Sequence, residues 1–321
     1  MTRRSVCLLA GGFGGSRMAH GLQIVSRREG WDLAIVVNTG DDMELHGLYV
    51  APDLDTVMYT LAGRADRERG WGVADETWSA AAMLEAYGQP TWFRVGDRDL
   101  ATHVTRTERL RGGARLTEVT ASLAGALGVS ARLLPMSDQP VRTEVRTADG
   151  WLDFQDWFVR RHHADDALEI RYAGVDRARP TNEAMDALAA ADLIVLAPSN
   201  PFVSIGTILA VPGLLETLIA SPAPCVAISP IVAGAALRGP AATMMSSLAG
   251  LDATATGVAG YYADRYPGLA QTMVIDESDR AEAQAIEVFG YGVLVAPTVM
   301  TSEVEREALA RTIIEAFPVA R

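Results

Sequence analysis

Four glycines within five residues, Gly11, Gly12, Gly14 and Gly15 flanking Phe13, end the apolar run of SVCLLAGGFGGSRMAHGL (residues 5–22) and open a helical pattern. No other feature restricts the fold as much. An aliphatic strand that passes through a glycine turn into a helix is the opening unit of a parallel α/β sheet. Glycine reaches φ > 0 without steric cost, so backbone N–H groups of such a turn can approach an anion at the helix N-terminus. Gly12 and Gly14 fit the G-x-G-x-x-G fingerprint, but Arg17 occupies the third glycine position. The turn alone leaves two readings open: a phosphate cradle, or a tight strand–helix connection with no ligand.

Further strand-like runs follow: LAIVVN (33–38), LIVLAP (193–198), CVAISP (225–230) and GVLVAP (292–297). They are continuously apolar, which suits a parallel sheet covered by helices on both faces. Helical patterns at 16–27 and 206–220 complete a doubly wound, Rossmann-like α/β layout. Residues 64–190 are richer in Arg, Asp, Glu and Trp, and hold helical segments and a strand pair turning at ADG within 143–159. The expected organisation is a core of 1–63 and 191–321 with an inserted, mostly helical cap subdomain of 64–190. The apolar stretches near 206–220 and 241–260 suit either the core or a homodimer face.

Composition removes several function classes. The net charge is −12 over 321 residues, against the basic stripe that nucleic acid requires. No apolar run is long enough to predict a membrane span, and the short run after the N-terminal arginines reads as the first strand rather than a signal peptide. Cys7 and Cys225 both sit in apolar strands, as small buried side chains of a reducing cytoplasm do. The chain contains no lysine, which rules out a Walker A loop and a pyridoxal phosphate Schiff base. Small-molecule substrates remain.

The chemistry concentrates after the second strand. In VVNTGDDMELHGLYVAPDLDTVMYTL (36–61), Asp41, Asp42, Asp53 and Asp55 lie just beyond a strand's carboxyl end, where open α/β sheets bind ligands. Clustered carboxylates repel unless a cation intervenes, and Mg²⁺ takes one or two of them together with phosphate oxygens. Helix capping by aspartate is the alternative. A hydride-transfer enzyme usually places a single acid there for ribose, which the doubled pairs do not resemble. Residues 94–115 carry six arginines against three acids, fit either for forked contacts to a pyrophosphate or charged acyl group, or for a solvated face. LAPSNPFVSIGTILAVPG (196–213) puts Ser199, Asn200, Ser204 and Gly206 at another strand end, and ISPIVAGAALRGPA (228–241) brings Arg238 to the same rim. The five histidines show no zinc spacing; His162 and His163 are merely adjacent.

Taken in order from residue 5 to about 241, AGGFGGSR, VVNTGDD, APDLDTVMYTL, GWGVADETW, VGDRDLATHVTRT, LLPMSDQPVRT, FQDWFVR, LAPSNPFVSIGTIL and ISPIVAGAALRGPA resemble the 2-phospho-L-lactate / phosphoenolpyruvate transferase family of coenzyme F-420 biosynthesis. The resemblance implies a Rossmann-like core with an inserted cap. It also implies an Mg²⁺-dependent enzyme that joins a guanosine-diphospho-activated 2-phospholactate or phosphoenolpyruvate to the deazaflavin Fo and releases GMP. On that resemblance Asp55 and Arg94 match positions associated with Fo, and Arg94 stands where archaeal members are expected to carry lysine. Asp41 and Asp42 match the metal-binding stretch, with Asp55 a further metal ligand, and Asp41 and Asp55 are the catalytic candidates. The amides of Gly12, Gly14 and Gly15, with Ser199 and Asn200, would hold the guanosine donor, and Asp138 would face the guanine edge. Trp71 or Trp78 would stack on the deazaflavin or pack in the core. NTGDD and GWG…ETW resemble the actinobacterial branch, implying the phosphoenolpyruvate donor. The competing class is a nucleotide-sugar-binding regulatory protein of the same fold.

Overall fold

The computed structural model describes residues 4–236 and 239–318. Its main sheet has seven strands: β1 (Ser5–Ala10), β2 (Asp32–Val37), β3 (Arg132–Pro135), β4 (Leu193–Leu196), β5 (Cys225–Ile228), β6 (Thr272–Ile275) and β7 (Gly292–Val295). Their order is β3-β2-β1-β4-β5-β6-β7, and every neighbouring pair is parallel. The chain steps outward from β1 to β3, then returns to the other side of β1 with β4. The crevice between β1 and β4 is therefore the topological switch point, where ligands of open sheets bind.

The continuous apolar strands β1, β2, β4 and β5 are buried on both faces, as their pattern predicts, whereas β7 at the sheet edge is only partly buried. Val6, Leu8 and Ala10 of β1 join one core layer, and Cys7 and Leu9 join the other. The first layer is closed by α1 (Gly12–Glu29), α2 (Pro52–Leu61) and the helix Glu303–Ala316. The opposite layer carries the helices Asn182–Ala189, Leu214–Ala220, Ala241–Ala249 and Ala255–Arg265. The helical run expected over 206–220 is broken near Gly213, whose φ is 98°, and its two halves are bent by 87°. Their side chains Ile208, Leu209, Leu214 and Leu218 are core, as are Met244, Met245 and Val258, while Ile219 of the same run stays exposed. Among the described residues no single helix is long and apolar enough to cross a membrane.

The segment between α2 and Asn182 is more than a cap. It supplies α3 (Ser79–Ala86), α4 (Asp97–Arg111) and α5 (Leu116–Ala126), then β3, the outermost strand of the main sheet. A three-stranded antiparallel sheet follows, with Arg142–Thr147 between Gly150–Asp153 and Glu169–Ala173. Its first hairpin turns at the ADG signal. Strand β3 is only RLLP, with an exposed arginine at one end and a proline at the other, so it carries little of the apolar signature by which its neighbours are recognised.

Candidate active site at the carboxyl edge of the sheet

A cavity of about 740 Å³ opens on the switch point. Loops after five of the seven strands line it: Gly11–Gly14 after β1, Asp41 after β2, Pro198–Asn200 after β4, Ser229–Pro230 after β5, and Thr298 with Met300 after β7. Residues of α2 and α4 form one wall, the aromatic–arginine segments Arg69–Gly72 and Trp92–Arg94 another, and Phe154, Phe158 and His163 a third. Asp41, Asp53 and Asp55 all face this space together with the glycine turn. Arg238 lies outside the described residues.

The acids are organised by Asn38, a fully buried residue at the end of β2. Its amide oxygen accepts from the Gly40 N–H at 2.8 Å. Its Nδ2 donates to Asp41 Oδ1 at 3.1 Å, to Asp53 Oδ2 at 2.9 Å and to the Val203 carbonyl at 3.1 Å. One neutral amide thus gathers two buried carboxylates that, among the described residues, have no ion-pair partner. Burial, and secondarily the charge of Asp53, raises the Asp41 carboxyl well above the ordinary range. Burial pushes Asp53 up to about 6, opposed by the Asn38 amide and the Gly12 N–H that its carboxylate accepts. Asp53 therefore sits as an anion against the N-terminus of α1, where helix-end amides favour one.

Asp55 behaves differently. It lies at the start of α2, and its two oxygens are forked by Arg106 of α4, with Nη1 at 3.0 Å from Oδ2 and Nη2 on Oδ1. Arg106 is only 1% exposed. Its guanidinium is held in the charged form: burial disfavours it, but the neighbouring Asp55 outweighs this. His103, one turn earlier on α4, stands 3.7 Å from Asp55 through Nδ1 and 3.4 Å from Asp99 through Nε2. Tyr59 donates to Asp99 at 2.7 Å. Ligand-type atoms of Asp55, Asp99 and His103 lie within 4.8 Å of one another, but Arg106 already supplies the positive charge there.

The glycines of the turn do several jobs. Gly12 has φ +60°. A Cβ on Gly14 would lie 2.0 Å from the Pro198 carbonyl oxygen, so only glycine lets β1 and β4 loops meet this closely. Gly15 packs against Ala10 and Ser199 and is buried behind the turn, not on the cavity wall. Ser199 locks the two loops together: its Oγ accepts from Gly11 N at 3.2 Å and donates to Gly11 O at 2.7 Å. Asn200 accepts from the Phe202 and Val203 N–H groups at 2.8 and 3.2 Å, capping the π-helical turn Pro201–Ile205. Both still line the cavity, with their hydrogen-bonding atoms largely committed to the protein.

Besides Gly15, two expected residues lie elsewhere. Asp138 accepts from Thr117 N and Thr117 Oγ1, both at 2.8 Å, and pairs with Arg115 at 3.3 Å, so it serves the first turn of α5 and does not line the cavity. Asp42 turns away from its neighbour Asp41 to accept from Tyr49 Oη at 2.7 Å, and burial pushes it up to about 8 despite nearby Arg142. The Trp78 ring, expected on the deazaflavin or in the core, is instead covered by Arg94 at 4.4 Å and Arg69 at 5.0 Å. Asn38 and Asp53 carry the site geometry; Asp53 is one of the four clustered acids, but neither residue is among the ligands the resemblance implies. Their signal was present: Asn38 is one of only three asparagines and ends a strand, and Asp53 begins the PDLDT helix start.

The class defined by these features is a Rossmann-like α/β protein whose switch-point crevice sets an amide-lined turn against paired, buried carboxylates. The chain belongs to the family described as 2-phospho-L-lactate transferase CofD, whose model matches residues 6–292, and it is accordingly a transferase. It is 44% identical over 312 residues to a phosphoenolpyruvate transferase of Kitasatospora aureofaciens, covering 96% of each chain. It is 42% identical over 320 residues to one of Mycobacterium tuberculosis (strain ATCC 25618 / H37Rv), covering 94% of this chain and 96% of that one. Among solved structures, a member of the UPF0052 family from Bacillus halodurans shares the fold, with a TM-score of 0.67 at 16% identity over 98% of this chain and 99% of that one.

Proposed function

We propose that this transferase moves a phosphoenolpyruvyl group from a guanosine-diphospho-activated donor to the 5′-hydroxyl of the deazaflavin Fo, releasing GMP, in coenzyme F-420 biosynthesis. The observation that carries the reading is the Asp41–Asp53 pair, gathered on one Asn38 amide and set against the glycine turn. Two buried carboxylates sharing a neutral donor call for a cation, and the N-terminus of α1 beside them, with the Gly12 amide already given to Asp53, favours an anion. A magnesium diphosphate supplies both. The names of the relatives, phosphoenolpyruvate transferases, favour the enolpyruvyl form of the three-carbon acid.

The hydroxyl oxygen of Fo attacks the phosphorus that bears the three-carbon acid. A new P–O bond forms, the bond to the bridging oxygen breaks, and GMP leaves with that oxygen and its electron pair. Positioning and charge neutralisation carry most of such a transfer. In this assignment Asp41 and Asp53 hold Mg²⁺, which when bound neutralises the diphosphate. The ligand set expected from the resemblance is thereby redistributed, since Asp42 is turned to Tyr49 and both Asp55 oxygens face Arg106. Asp55, fixed by that fork, orients the acceptor hydroxyl and is the carboxylate there not committed to the ion, able to take its proton. Gly12 and Gly14 belong to the turn that receives the donor, Ser199 and Asn200 hold its shape, and Arg94, expected at the acceptor, lines the wall that donor and acceptor share.

The test incubates the protein with Fo, MgCl₂ and, in parallel, the enolpyruvyl, lactyl and glyceryl forms of the guanosine donor. GMP and the glutamate-free F-420 precursor should appear in equal amounts, fastest with the enolpyruvyl form. Binding of guanosine nucleotides with no turnover of any donor would contradict the reading and favour the regulatory alternative.

A further inference from the structure

Trp78 stands at the N-terminus of α3 and does not itself line the cavity, yet it touches two residues that do. The guanidinium carbons of Arg94 and Arg69 lie 4.4 Å and 5.0 Å from its ring centroid. Arg69 is tethered to Asp66 at 2.8 Å and to the Val73 carbonyl at 3.1 Å. Among the described residues Arg94 makes no hydrogen bond or ion pair, so the indole face is the contact that places it. The indole is itself rigidly framed. Asp97 accepts from Thr77 Oγ1, Ser79 N and Ala80 N at 2.6, 3.0 and 2.9 Å, on both sides of Trp78. Gly96 lets this frame close, since a Cβ there would lie 1.8 Å from Glu76 Cγ.

We infer that Trp78 is a positioning residue that holds Arg69 and Arg94 as a paired cationic subsite on the cavity wall, and that this subsite takes the carboxylate of the three-carbon acid. Asp66 compensates part of the Arg69 charge, Trp71 covers the same guanidinium at 5.3 Å, and the negative face of the Trp78 indole offsets the remaining repulsion between the two arginines. Planar guanidinium forks match a carboxylate. A carboxylate is the anion left to recognise once the glycine turn and the Asp41–Asp53 cation site have taken the diphosphate. The identity of the acid rests on the transferase reading; the existence of the subsite does not.

The experiment titrates phosphoenolpyruvate, and separately inorganic phosphate, into the wild type and the W78L, W78F and R94Q variants by calorimetry, with thermal melts to confirm folding. W78L and R94Q should weaken phosphoenolpyruvate about tenfold, while W78F, which keeps an aromatic face, should stay within about threefold. Inorganic phosphate should change by less than about twofold throughout, because it lacks the carboxylate. In turnover, the donor KM of W78L should rise more than kcat falls. Unchanged phosphoenolpyruvate affinity in W78L and R94Q, equal losses in W78L and W78F, or a wild type that binds phosphoenolpyruvate no better than phosphate would each overturn the assignment. Calorimetry needs neither acceptor nor turnover, so a failure of the transferase reading shows separately, as absent GMP release.

Discussion

At the residue scale the site separates its acids by what partners them. Asp55 has a guanidinium, whereas among the described residues Asp41 and Asp53 share an amide and no cation, and the proposed roles, positioning for the first and cation binding for the others, rest on that difference. Asp53→Asn should lower kcat/KM by about 10²-fold or more while leaving the melting temperature unchanged or slightly raised, since a buried acid without a counter-charge is replaced by a neutral isostere. Activity near that of the wild type would remove Asp53 from the machinery. Arg106→Leu acts in the opposite sense. It strands Asp55 as an unpaired buried carboxylate, so urea unfolding should show a loss of about 3–5 kcal/mol. The double variant with Asp55→Leu should recover much of that loss without recovering turnover.

At the scale of elements, the site is made by two helices meeting over one strand end. Asp55 and Tyr59 are one turn apart on α2, and Asp99, His103 and Arg106 recur along one face of α4. That i, i+4, i+7 spacing was visible in the chain, but which helix the face would meet was not, because pairing across about fifty residues is decided by tertiary packing. The long apolar strands were legible because burial on both faces leaves an uninterrupted aliphatic run. Strands β3 and β6 are no shorter than β4 and β5, but Arg132 and Pro135 in the one, and Thr272 and the following Asp276 in the other, leave an apolar run too brief to stand out. Asp138 misled for a local reason: an acid after a strand end suits a base edge, yet here it satisfies the orphan amides that open α5. Asp42 belongs to this scale too, since it ties the loop after β2 to Tyr49 of the hairpin strand Leu48–Val50. Its carboxyl holds its proton longer in the folded state than in the unfolded chain. Asp42→Asn should therefore stabilise the protein at pH 9, by about 1 kcal/mol or more, and have little effect near pH 3, as read by melts at the two values.

Over the whole molecule these raised carboxyls make stability depend on pH. Asp53 and Asp42, pushed up to about 6 and about 8 from 3.8, contribute stability that is fully present near pH 3 and is lost as pH rises through those values. A cation at Asp41 and Asp53 reverses that trend for the inner pair. The Mg²⁺-induced rise in melting temperature should therefore be larger at pH 8 than at pH 5.5, and an equal rise at both would place the ion elsewhere. The fold directs all of this to one place. A sheet whose order reverses between β1 and β4 opens a single crevice, and loops from five strands bring the turn, the acids and the arginine wall to it.

The central claim is that a guanosine diphosphate lies between the glycine turn and the Asp41–Asp53 pair with a divalent ion joining them. Phosphorus NMR of GDP with substoichiometric Mn²⁺ reads that geometry directly, because paramagnetic broadening falls steeply with distance. Both diphosphate signals should broaden in the complex with the wild-type protein well beyond the protein-free control, and the excess should vanish with the D41N/D53N double variant. Signals that broaden equally with wild type and double variant, or that do not sharpen or broaden when protein is added, would contradict it.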